Sequence, residues 1–107
     1  MGMAYDLGMP VEFIIFLEPA RGGMVDDPTP EEAALVQRHF EYLKKLTDEG
    51  VVIVAGRTTE APHVGVVVLR AGDRANAEAI VRGDPAIDAG VFRARVSGFR
   101  VALAAGD

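Results

Sequence analysis

The chain of 107 residues contains no cysteine, which excludes disulfides and thiolate metal sites. It has only two histidines, far apart in the sequence, so we predict neither a metal site nor another cofactor. Acidic residues outnumber basic ones by 16 to 11, which gives a formal net charge of −5. Nucleic acids and anionic membranes are therefore poor candidate partners.

No hydrophobic run approaches the roughly 20 residues of a membrane span. Residues 1–10, MGMAYDLGMP, lack the basic and apolar regions of a signal peptide, and Asp6 stands where a myristoylation signal has Ser or Thr. We interpret this stretch as a flexible leader and expect a cytoplasmic protein. Residues 11–104 have the length and the balanced composition of a single small domain with one core.

One amphipathic helix, residues 30–50, organises the rest of the prediction. Thr29 and Glu32 have the spacing of a capping box, and Gly50 is a typical C-terminal stop. His39 falls on the apolar face of this helix, so we expect it to face the packing surface and to need a hydrogen-bond partner. The other residues of that face are Leu35, Val36, Phe40, Tyr42, Leu43 and Leu46.

Four strands and a second helix complete the predicted α+β fold. We place the strands at 11–18, 51–58, 63–70 and 91–104, the second helix at 74–83, and a single helical turn at 85–90. The short link between the second and third strands predicts a hairpin, and a slip in the alternation at Ser97-Gly98 predicts a bulge. The order βαββαβ is the ferredoxin-like arrangement, a four-stranded antiparallel sheet with two helices on one face.

The first three strands carry apolar residues on both faces, although the two helices can cover only one face of the sheet. An uncovered apolar face of this kind is typical of an interaction surface. We therefore predict a homodimer formed through the open sheet face.

Two segments resemble the YciI-like, or YCII-related, family. They are residues 38–57, RHFEYLKKLTDEGVVIVAGR, and residues 83–92, GDPAIDAGVF. The resemblance implies the dimeric α+β-barrel version of the ferredoxin-like fold, with His39 and Asp84 as the active-site pair. Some members act in the breakdown of chlorinated aromatics. Arg57 stands where many members have proline, which places a five-donor cation at that strand end.

A histidine beside a carboxylate is a recurrent acid–base unit, because the carboxylate accepts one ring N–H and leaves the other nitrogen free to take a proton. No serine or cysteine is evidently placed as a nucleophile. The pair therefore predicts a small-molecule enzyme that transfers protons, in isomerisation, elimination such as dehydrohalogenation, or a lactone-type rearrangement. The alternative is that His39 is a core histidine with a hydrogen-bond partner and no catalytic role, and that Asp84 only caps the turn before Pro85.

Other side chains are candidates for substrate binding. Arg93 and Arg95 share one face of the last strand and would suit a carboxylate or phenolate, although such a pair is more often simply exposed. Arg21 lies in the glycine-containing loop 19–28, which is either a lid or a plain surface connection. His63 is expected to be solvated. The full candidate set for substrate binding is Arg21, Tyr42, Arg57, Arg93 and Arg95.

Three other functions stay open at the level of the sequence. The main alternative is a non-catalytic ligand-binding or regulatory domain of the dimeric α+β-barrel type. Haem binding through a histidine rests on an analogy of fold alone. RNA binding is the weakest, because the third strand, HVGVVVLR, lacks the stacking aromatics of RNA-binding sheets.

Overall fold

The computed structural model describes residues 11–106, so the predicted leader, residues 1–10, lies outside the described part. In chain order the elements are β1 (Val11–Pro19), α1 (Pro30–Asp48), β2 (Val52–Arg57), β3 (Gly65–Ala71), α2 (Arg74–Arg82), α3 (Pro85–Asp88) and β4 (Phe92–Gly98). This is the predicted βαββαβ order, and α3 stands where a single helical turn was predicted at 85–90. Within residues 11–106, no helix is both long and apolar enough to cross a membrane.

The four strands form one antiparallel sheet in the order β2-β3-β1-β4. The strands β2 and β3 pair as the predicted hairpin, with Ala55 opposite Val67 and Arg57 opposite Gly65. The outer strands are β2 and β4, and β1 lies between β3 and β4. The ferredoxin-like prediction of the fold is therefore confirmed.

The core lies between the helices and one face of the sheet. Alternate residues of β1 and β3 point into it, because successive side chains of a strand face opposite sides. Ala77 and Val81 of α2 pack on the same face. Half-buried residues of α1, among them Leu43 and Leu46, complete the contact. The buried strand residues of this cluster are Phe13, Ile15, Leu17, Val52, Val67, Leu69 and Ala71.

Helix α1 begins as the capping box predicts. The Thr29 hydroxyl accepts a hydrogen bond from the Glu32 amide at 3.1 Å, and the Glu32 carboxylate accepts one from the Thr29 amide at 2.9 Å. Two of the unpaired amides at the start of the helix are thereby satisfied. The helix ends at Asp48, and Gly50 follows with a φ of 80°, a conformation that favours glycine.

The last strand ends earlier than predicted. It stops at Gly98 instead of residue 104, and residues 99–106 form no regular structure. The reason is the length of its neighbour: β1 begins at Val11, and the amide of Phe99 donates to the carbonyl of Glu12 as the last backbone contact between the two. Beyond that point β4 has no strand beside it in the described part of the chain.

The predicted bulge at Ser97-Gly98 is wrong. Strand β4 pairs with β1 in continuous register, with Ser97 opposite Ile14 and Gly98 opposite Phe13. The irregularity lies instead in β2, between Val52 and Val54. The slip in apolar alternation near residue 97 marks the end of the strand.

Candidate functional site

The side chains of His39 and Asp84 are in direct contact across the fold. Nδ1 of His39 lies 2.5 Å from Oδ2 of Asp84. The Asp84 side chain is 2% exposed and the His39 side chain 14%. Helix α1 presents the imidazole, and the start of α3 presents the carboxylate, 45 positions along the chain. A carboxylate oxygen only accepts when ionised, so the contact places the proton on Nδ1 and leaves Nε2 outside this hydrogen bond.

Asp84 holds its position because its two oxygens have separate partners. Oδ1 accepts from the amide of Ala86 at 2.9 Å, which caps α3, while Oδ2 faces His39. Pro85 takes the first helical position, where its missing N–H costs nothing. The cap and the contact with histidine were alternatives at the level of the sequence, and this carboxylate makes both.

His39 lines a cleft of about 860 Å³ between α1, the loop after β1 and the end of the β2–β3 hairpin. The ring of Phe92 stands 5.0 Å from the imidazole, centroid to centroid, tilted by 54°. This contact restricts the ring from the side, as Asp84 does at Nδ1. Within residues 11–106, Nε2 of His39 forms no hydrogen bond. The walls of the cleft are mainly apolar, from Leu17, Pro19, Met24, Val25, Ala33, Val36, Phe40, Leu43, Ala55, Val64, Val67 and Phe92.

Two residues of the hairpin end line the same cleft, Arg57 and His63. Arg57 was a predicted candidate and lies on the helix-covered face of the sheet, opposite Gly65. His63 is half-buried, with Nδ1 3.4 Å from the carbonyl oxygen of Thr58. The Thr58 hydroxyl also accepts from the Val64 amide at 2.9 Å, which orders the loop that carries His63.

Tyr42 lies behind the histidine and is absent from the lining of the cleft. Its hydroxyl donates to the carbonyl of Ile80 at 2.6 Å, which joins α1 to α2. A Cβ at Gly83 would stand 2.6 Å from that hydroxyl, so glycine is needed for the close approach. Burial raises the pKa of Tyr42, and the nearby Asp84 carboxylate adds to the effect. The contacts of Tyr42 are those of a packing residue.

Arg21 forms an ion pair at the start of α1. Its guanidinium donates to both oxygens of Glu32, at 2.7 Å and 3.0 Å, and to the carbonyl of Asp27 at 3.0 Å. The hydrogen bonds from Arg21 and from the Thr29 amide lower the pKa of Glu32 to about 2. The arginine therefore anchors the loop to the helix, and it does not line the cleft.

Arg93 and Arg95 lie on the face of the sheet opposite His39. In β4 the residues that face the helices are Phe92, Ala94 and Val96, so the two arginines alternate onto the open face. The guanidinium of Arg95 stacks over the ring of Phe16 at 4.4 Å. Within one chain, the structure therefore does not bring this pair to the cleft.

Two residues of the cleft were not singled out from the sequence. Phe40 lies on the predicted apolar face of α1 but is 60% exposed, because it borders the cleft and not the core. His63 was expected to be solvated, and the structure places it in the lining of the same cleft as Arg57. No three His, Asp or Glu side chains in residues 11–106 are grouped to hold a metal ion.

The fold and the site together define a ferredoxin-like α+β domain with a histidine–aspartate contact whose imidazole lines an apolar cleft. Residues 13–99 match the model of the YCII-related domain, and the chain belongs to that family. No protein of curated function matches the sequence significantly.

The solved structures that match the chain include two proteins. One is the 5-chloro-2-hydroxyhydroquinone dehydrochlorinase TftG from Burkholderia phenoliruptrix AC1100, in complex with 2,5-dihydroxybenzoquinone. It has a TM-score of 0.65 and 20% identity, over 83% of this chain and 93% of TftG. The other is a conserved protein from Methanosarcina mazei Go1, with a TM-score of 0.47 and 16% identity over 90% of this chain and 97% of that one.

Proposed function

We propose that this protein is a small-molecule enzyme that transfers protons with His39 as the acid–base group and Asp84 as the residue that orients it. The observation that carries the proposal is the 2.5 Å contact between Nδ1 of His39, which lines the cleft, and a carboxylate that is 2% exposed. With Nδ1 engaged, Nε2 is the nitrogen available to a substrate. Such a group contributes on the order of 10²–10⁴-fold to a rate.

The shape and lining of the cleft favour a small, mainly apolar substrate. A volume of about 860 Å³ is within the range of sites for small molecules, and the rings of Phe40 and Phe92 border it. The similarity of fold to a dehydrochlorinase gives a first reaction to test, the elimination of HCl from a hydroxylated chloroaromatic. In that reaction the ring first passes to its keto tautomer, in which a hydroxyl proton has moved to the chlorine-bearing carbon. Nε2 of His39 then takes the proton of a second hydroxyl, the freed electron pair forms a quinone C=O bond, the adjacent ring π pair shifts toward the chlorine-bearing carbon, and chloride leaves with its own bonding pair.

The test is chloride release from a panel of ring-chlorinated hydroquinones, with proton exchange in D₂O measured in parallel for isomerisation. We expect turnover by the wild type and a loss of at least about 100-fold in His39→Gln. The matched control is Arg38→Gln, one position earlier on α1 and exposed to solvent. Equal activity of His39→Gln and wild type would refute the proposal, and binding of the panel without any turnover would favour a ligand-binding domain.

We also propose that the working unit is a homodimer packed through the open sheet face. Ile14, Phe16 and Val66 are only half-buried on that face, and Val54 is 56% exposed. Apolar side chains on three adjacent strands form a continuous surface, which favours a protein partner over solvent. A second copy supplies the same apolar surface around a two-fold axis.

A further inference from the structure

The guanidinium of Arg57 lies in a mainly apolar cleft and has no acidic partner among residues 11–106. No hydrogen bond or ion pair within the described part of the chain involves its side chain. The two other charged residues of the cleft, Lys44 and Asp48, neutralise each other at 3.0 Å. The cleft is therefore locally positive in a chain whose formal net charge is −5. A positive cleft of this kind attracts anions.

His63 lines the same cleft as Arg57 at the end of the β2–β3 hairpin. Arg57 pairs with Gly65, and the amide of Thr58 donates to the carbonyl of Val64 at 2.9 Å. His63 lies in the loop two positions before Gly65, the first residue of β3. Because the Thr58 carbonyl only accepts, Nδ1 of His63 donates to it, and Nε2 remains for the cleft.

We propose that Arg57 binds an anionic group of the substrate, a carboxylate or a phenolate. The proposal rests on the proposed function, because it assigns an anion-binding role to the hairpin side of the cleft, and His39 lies on the other side of the same cleft. Arg57 has five donors and no acceptor, and its planar group matches two oxygens of one anion. The apolar surface between the two sides, which includes Phe40 and Phe92, suits the ring that carries the anion.

The experiment compares the binding of two probes that differ only in charge, 4-hydroxybenzoate and its neutral amide, 4-hydroxybenzamide, by titration calorimetry. We expect the wild type to bind the acid at least about tenfold more tightly than the amide, the preference that a charge-assisted hydrogen bond provides. Arg57→Gln should lower the preference to less than about twofold. The control Arg38→Gln carries the same charge change outside the cleft and should keep the full preference.

A further variant separates this subsite from the catalytic proposal. His39→Gln should keep the preference for the acid whether or not it loses turnover, since binding the anion does not need the base. A wild type that binds the two probes equally, or binds neither at millimolar concentration, overturns the subsite, and so does an Arg57→Gln variant that keeps the preference.

Discussion

Removal of the Asp84 side chain should destabilise the domain more than removal of an ordinary helix cap. Asp84→Ala loses the cap on Ala86, worth about 1 kcal/mol, and the hydrogen bond from His39, worth about 2 kcal/mol for a charged acceptor. The expected loss of unfolding free energy is therefore about 3 kcal/mol. At about 4 °C per kcal/mol for a domain of this size, the Tm should fall by about 12 °C or more.

A second aspartate of the chain provides the matched control. Asp73 caps α2 by accepting from the amide of Asn76 at 2.8 Å, but it is exposed and has no histidine partner. Asp73→Ala should cost about 1 kcal/mol, so the difference between the two variants isolates the contribution of His39 at about 2 kcal/mol. Urea denaturation followed by circular dichroism measures both values.

Asp84→Asn separates the packing role of this residue from its charge. The asparagine oxygen can keep the cap on Ala86, and its NH₂ group can donate to Nδ1 of His39, at a cost of about 1 kcal/mol. The imidazole then carries its proton on Nε2 and cannot act as a base there. We expect a folded, inactive protein. If Asp84→Ala and Asp73→Ala prove equally stable, the His39–Asp84 contact contributes nothing and the reasoning is wrong.

Three further predictions concern packing, pH and assembly. Gly83→Ala should lower the free energy of unfolding by about 1–3 kcal/mol, because its Cβ meets the Tyr42 hydroxyl. Adding Tyr42→Phe in the double variant should relieve most of that loss. Additive losses of the two substitutions in urea denaturation would refute the contact. Since the folded pKa of Glu32 is about 2, below the 4.5 of a free glutamate side chain, its contribution to stability is full above pH 4.5 and is lost as the pH falls toward 2. Glu32→Gln should therefore lower the urea midpoint at pH 7 and much less at pH 2.5, and an equal effect at both would contradict the ion pair. Val54→Asp should convert the proposed dimer to monomer in light scattering while Ala79→Asp, on the exposed side of α2, does not; a wild type that is already monomeric would exclude the dimer.

Local signals in the sequence account for most of the fold. The capping box at Thr29 fixes the start of α1 within the chain itself, and Gly50 marks its end. The hairpin of β2 and β3 follows from a link too short for any other connection. The end of β4 was missed because it depends on where β1 begins, a tertiary fact that no pattern within residues 91–104 carries.

The candidate site was only partly predictable, for the same reason. A polar residue on an apolar helix face indicated that His39 needs a partner, and the family resemblance supplied Asp84. The sequence could not separate the cleft residues of α1 from its core residues. Phe40 and Leu46 both belong to the predicted apolar face, and only the structure shows that Phe40 borders the cleft while Leu46 packs against the core. The positions of His63 and of the two arginines of β4 relative to the cleft could not be predicted, because they depend on how the strands pair and on which face of the sheet each side chain occupies.

The most direct test of the account is a ¹⁵N NMR measurement on the two imidazoles of the wild type, assigned with His39→Gln. We predict that His39 carries its proton on Nδ1, that Nε2 is unprotonated in the neutral ring, and that the Nε2 resonance moves when 2,5-dihydroxybenzoquinone is added. A neutral His39 protonated on Nε2, or an Nε2 chemical shift that stays unchanged at saturating ligand, would contradict the proposed acid–base pair.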